Sequence, residues 1–123
     1  MSNWMEETKK NIQALKEKGF FNSWPQKKTE LITFFIYPNL ALPDDWIEKR
    51  LNVYKENAEK LDAISPKITF YIYPSIDAVK DLGITPAITF VKAREIHGHI
   101  KQSPGHELTH ILLGEISPSE DLP

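Results

Sequence analysis

His106 and His110 stand four residues apart, with Glu107 directly after the first, in the run His106-Glu107-Leu108-Thr109-His110. On an α-helix, side chains at that spacing rise from one face with their Cβ atoms about 5–6 Å apart. Two imidazoles placed so can close on one zinc ion at roughly 2.0–2.1 Å. Glu107 is turned about 100° away on a 3.6-residue helix. It can reach a metal-bound water without competing for the metal, and so serve as a general base. The H-E-x-x-H pattern therefore points to zinc-assisted hydrolysis, with His106 and His110 as metal ligands and Glu107 as the catalytic carboxylate.

A catalytic zinc usually takes three protein ligands, and thirteen residues follow His110. His97 and His99 lie upstream, in a segment that alternates like a strand and places both on one face. Asp121 lies in the tail and can fold back or reach a neighbouring chain. Glu115 falls on the wrong side of a continuing helix. A metzincin arrangement is excluded, because it needs glycine three residues after the second histidine and Leu113 stands there.

The elements that must position these groups are legible in outline. Ser103-Pro104 is a helix start, a capping hydroxyl followed by proline at the first helical position. The motif helix is expected over about 104–113, with Leu108, Ile111 and Leu112 facing the core and Gly114 as its cap. Upstream, residues 31–37 (Leu31-Ile32-Thr33-Phe34-Phe35-Ile36-Tyr37) and 68–73 (Ile68-Thr69-Phe70-Tyr71-Ile72-Tyr73) are β-branched and aromatic, and each is stopped by proline. Residues 87–91 are a shorter echo, and residues 95–100 read as an edge strand. The two long copies are expected to be neighbouring strands under the same packing demands, since the segments between them do not match. Ile47, Leu51, Tyr54, Ala58 and Leu61 mark an amphipathic helix over about 44–61, with Asp45 and Glu48 spaced as a capping box. Strand, helix and strand in that order predict a βαβ crossover and a parallel pair. Ser75 is placed to cap a short helix ending near Gly83. Residues 1–30 read as an N-terminal helix followed by an aromatic loop, in which Phe20, Phe21 and Trp24 plug the core edge. Residues 31–123 form the main unit. The fold class is α+β, a small mixed sheet with packed helices and the motif helix near the C-terminus.

The remaining composition narrows the function classes. A net charge of −2 and six lysines set against four glutamates in the first thirty residues give no electrostatic case for nucleic acid. No cysteine is present, so a metal must be held by His, Asp, Glu or water. The N-terminus lacks a basic segment followed by an apolar one, and no apolar run approaches the roughly 20 residues that span a bilayer. The expectation is a cytoplasmic protein without membrane contact. Serine nucleophile elbows and glycine-rich phosphate loops are absent from the sequence.

The order of elements, together with Tyr73-Pro74-Ser75 and the run His106-Glu107-Leu108-Thr109-His110-Ile111-Leu112, resembles the gluzincin zinc metallopeptidases, in particular their small peptidase-MA-like members. The resemblance spans roughly residues 31–114. It implies a zincin-like fold, one bound Zn2+, a peptide or protein substrate, and metal-ligand roles for His106 and His110 with Glu107 polarising the attacking water. It also implies that residues 95–100 form the upper edge of the substrate cleft. Gluzincins take their third ligand, a glutamate, from a second helix after the motif, and this sequence reaches Pro123 where that helix is expected. The chain then corresponds to the N-terminal part of a catalytic domain. The competing expectation is a truncated peptidase fold kept as a non-catalytic interaction module, self-associating through an exposed edge strand.

Overall fold

The computed structural model describes residues 4–61, 66–84, 88–90 and 93–101. Helix α1 (Trp4–Glu17) leads into a 3₁₀ turn, Phe20–Ser23. The chain then runs through β1 (Gln26–Lys28), β2 (Ile32–Ile36), α2 (Trp46–Lys60), β3 (Ile68–Tyr73), α3 (Ile76–Asp81), β4 (Ile88–Phe90) and β5 (Glu95–His99). The strands form one mixed sheet in the order β1-β2-β3-β5-β4. Among the described residues the fold is therefore α+β, with a five-stranded sheet and three α-helices, as the patterning predicts.

The two near-identical segments lie side by side. β2 and β3 are parallel and pair Ile32 with Ile68, Phe34 with Phe70 and Ile36 with Ile72. Like residues meet in register, so the repeat reflects shared packing demands. β5 is also parallel to β3, while β1 and β4 are antiparallel to their neighbours.

Side chains alternate across a strand, and each face of this sheet has its own helical cover. On one face Ile32, Phe34, Phe70, Ile72 and Ile96 pack with Trp46, Tyr54 and Ala58 of α2. On the other, Tyr71, Tyr73, Ile88 and Phe90 pack with Ile12 of α1, Phe21 and Trp24 around the 3₁₀ turn, and Val79 of α3. Phe21 and Trp24 are buried, with Phe21 tilted against Tyr71 at 4.8 Å and Trp24 edge-on to Tyr73 at 5.2 Å. The aromatic loop thus fills the core, as its composition suggests.

Local signals behave as expected at α3. The Ser75 hydroxyl accepts from the Ala78 N–H at 3.2 Å, and Gly83 takes a φ of +75° just after the helix, a backbone state glycine enters without steric cost. The start of α2 differs. Asp45 makes no side-chain capping bond, because its backbone (φ −98°, ψ 5°) is not extended as a cap requires. Its carboxylate instead lies 3.7 Å from Lys49. β1 is a further departure: three exposed polar residues form a strand where the pattern suggested loop. Thr29 closes the turn after it, its hydroxyl accepting from the Ile32 N–H and donating to the Ile32 carbonyl.

The end of β5 is held from two sides. The Ile100 N–H donates to the Tyr73 carbonyl at 3.1 Å, and the Trp46 indole N–H donates to the Ile100 carbonyl at 2.9 Å. Trp46 is itself fixed by the Arg50 guanidinium, stacked 3.5 Å from its ring centre. Burial lowers the Arg50 pKa to about 10, partly offset by Asp45. Ile100, just past the end of β5, is thus held by two hydrogen bonds.

Candidate functional site

His106, Glu107 and His110, with Asp121 and Glu115, lie outside the described residues, as does the expected motif helix. The structure does place His97 and His99, and it corrects the expectation for their strand. β5 is not an edge: β3 pairs with one side of it and β4 with the other. Within the short echo, Ile88–Phe90 runs antiparallel to Glu95–His97 and takes the outer position there, so that part of the expected cleft edge is covered.

His97 is fully buried. Its ring stacks on Tyr71, with centroids 4.5 Å apart and planes within 4°. The Tyr73 hydroxyl lies 2.8 Å from Nδ1, and Glu95 Oε1 lies 3.4 Å from Nε2. Lys16 of α1 then reaches both Glu95 oxygens, at 2.8 and 3.1 Å. A polar chain, Tyr73–His97–Glu95–Lys16, thus runs from the core to the surface between β3, β5 and α1.

The protonation states follow from the surroundings. Burial pushes the Tyr73 hydroxyl well above its ordinary value, reinforced by Tyr71 and Glu95, so it stays protonated and donates to Nδ1. The neutral imidazole then carries its proton on Nε2, facing Glu95 without the alignment of a hydrogen bond. Burial pushes the His97 pKa below 6.5 despite the opposing pull of Glu95. Burial works to raise the Glu95 carboxyl, but its contact with His97 and the Lys16 ammonium outweigh that and hold it at about 2. His99, half-buried at the end of the strand, is lowered by burial and by Lys101.

The three lowered groups, His97, Glu95 and His99, act on stability in the same direction. The unfolded chain binds a proton at His97 below about 6.5 and at Glu95 below about 4.5, where the folded chain does not. Stability is therefore full above these values and falls as the solution is acidified.

Pattern reasoning singled out His97 but missed its partners. The spacing Glu95-x-His97 puts both side chains on one face of a strand, and Tyr71-x-Tyr73 does the same; nothing in the chain announces that the two strands are adjacent. Among the described residues, no group of three His, Cys, Asp or Glu side chains is placed to hold a metal, and no helix is long and apolar enough to cross a membrane. No protein-family model, curated protein or solved structure matches the chain.

Proposed function

We propose that this chain carries the zinc-binding part of a metallopeptidase catalytic domain, with a zincin-like arrangement of sheet and motif helix. The observation that carries the reading is His106-Glu107-Leu108-Thr109-His110, preceded by a helix-start signal and following directly on the anchored end of β5. The donor chemistry suits zinc: two imidazoles at helical spacing in a chain without thiols. Bound there, zinc supplies Lewis-acid polarisation and a more acidic water. His106 and His110 hold the ion in place. Glu107 accepts the proton of the attacking water and returns it to the leaving amine.

His97 is taken up at Nδ1 by Tyr73 and sealed in the core, so the third ligand is sought in His99, Asp121 or a glutamate of a following helix. With β5 interior, the strand available to pair with an extended substrate is β4, the outermost on that side among the described residues. Main-chain pairing of that kind gives affinity while side-chain pockets give specificity. The proposed compartment is the cytoplasm.

The expected outcome is cleavage of an unstructured protein substrate that stops on chelation and returns with added zinc. Cleavage indifferent to chelation contradicts the zinc assignment. Zinc-bound protein without any cleavage favours the non-catalytic interaction module.

A further inference from the structure

Strand β1 is an end strand of the sheet, and Gln26, Lys27 and Lys28 are all exposed. Its main-chain groups divide by side. The Ile36 N–H donates to the Pro25 carbonyl at 2.8 Å and the Thr29 N–H to the Ile32 carbonyl at 2.9 Å, with Lys27 set opposite Phe34 between them. Bonded pairs in an antiparallel ladder recur at every second residue, so Pro25, Lys27 and Thr29 turn their main-chain groups toward β2. Gln26 and Lys28 turn theirs outward. The N–H and carbonyl of each therefore stand on an open edge, a template for one more strand. The edge is fixed before any partner arrives. β2 holds it along one side, and the Thr29 hydroxyl, bonded to both the N–H and the carbonyl of Ile32, closes the turn behind it.

Charge decides what can pair there. Side chains alternate across a strand, and the register puts Lys28 on the face of Thr33 and Lys27 on the opposite face with Phe34. The edge so presents an ammonium on each face. Neither lysine has an ion pair among the described residues, and Glu30, the nearest acidic residue in sequence, is held by Lys55. Lysines on an edge also discourage pairing with a like edge. A second copy brought up antiparallel, in the register that uses every outward group of both edges, sets Lys27 against Lys27. Like charges directly opposite are destabilising. An acidic strand meets no such penalty.

We propose that β1 is a docking edge for an extended acidic segment of a partner protein, one with two consecutive Asp or Glu residues. Gln26 and Lys28 supply the main-chain hydrogen bonds. The consecutive carboxylates, which fall on opposite faces of the added strand, meet Lys27 and Lys28. Main-chain bonds of this kind give affinity and side-chain matching gives specificity. The inference does not depend on the peptidase reading.

The test titrates the full chain at low salt with the N-acetylated, C-amidated peptide Thr-Val-Glu-Glu-Val-Thr and with its counterpart Thr-Val-Lys-Lys-Val-Thr, followed by amide NMR shifts and hydrogen exchange. The acidic peptide is expected to bind with a dissociation constant on the order of 10⁻⁴ M, and the basic one about tenfold or more weakly. The Gln26 and Lys28 amides should gain protection on saturation, while that of Lys27, which faces β2, stays as it is. Gln26→Pro removes one outward N–H without touching a charge or a bond to β2, and proline is tolerated at such a place on an edge strand. It should weaken the acidic peptide about tenfold at unchanged thermal stability. Lys27→Glu combined with Lys28→Glu should reverse the preference between the two peptides. Equal binding of the two peptides, no protection at Gln26 and Lys28, or full binding by Gln26→Pro overturns the proposal. Concentration-dependent dimerisation that Gln26→Pro abolishes also overturns it, by assigning the edge to a second copy.

Discussion

On the proposed reading, replacing Glu107 with Gln is expected to lower peptide turnover by about 10³-fold while zinc remains bound. The amide matches the carboxylate in size but cannot accept the proton of the attacking water, and general acid–base catalysis typically contributes about 10²–10⁴-fold. The loss falls on kcat, because the amide still fits the ground state and only the proton transfer is removed. Steady-state kinetics beside elemental analysis of the same preparation separate the two roles. Activity retained within a few-fold of the parent removes Glu107 from the chemistry. Zinc lost together with activity makes Glu107 a contributor to the metal site instead.

The second large effect lies in the core. His97→Ala is expected to cost about 4 kcal/mol of stability at pH 7.5, from the deleted buried ring and the stranded Tyr73 hydroxyl. Domains of this size are held by about 5–15 kcal/mol in total, so the variant is close to its limit. The pH dependence supplies an independent signature. The parent loses stability on acidification below about 6.5, because only its unfolded chain takes up the His97 proton. The variant loses that contribution, together with the part of the Glu95 contribution that comes from His97, and keeps that of His99. Denaturant unfolding from pH 7.5 to 5 should therefore show the gap between the two proteins narrowing. A gap that is constant or widens contradicts a neutral, buried His97.

Much of the scaffold is legible in the sequence because its signals are local. The β2 and β3 patterns, the α2 stripe and the Ser75 and Gly83 signals each depend on a few neighbouring residues. What was missed depends on distant ones. β1 carries no apolar period, since both faces of Gln26–Lys28 are exposed; its strand character comes from pairing with β2. The interior position of β5 follows from a three-residue partner, β4, too short to announce a hairpin. Asp45 has the residue type of a cap, but its dihedrals are set by the turn from which α2 starts.

The site divides in the same way. The proposed zinc motif is read from five consecutive residues and the spacing that a helix would give them. The Tyr73–His97–Glu95–Lys16 chain joins residues from three separated elements, with Lys16 and Glu95 lying 79 positions apart. A histidine on an alternating segment gives no sign of whether it faces a metal or a tyrosine. Only the parallel pairing of β3 with β5 brings Tyr73 to it.

Zinc content per chain, measured by elemental analysis on the 123-residue protein and its His106→Ala variant after dialysis against a weak chelator, tests the central claim most directly. The account predicts close to one zinc in the parent and almost none in the variant. Equal zinc in the two proteins, or none in either, contradicts it.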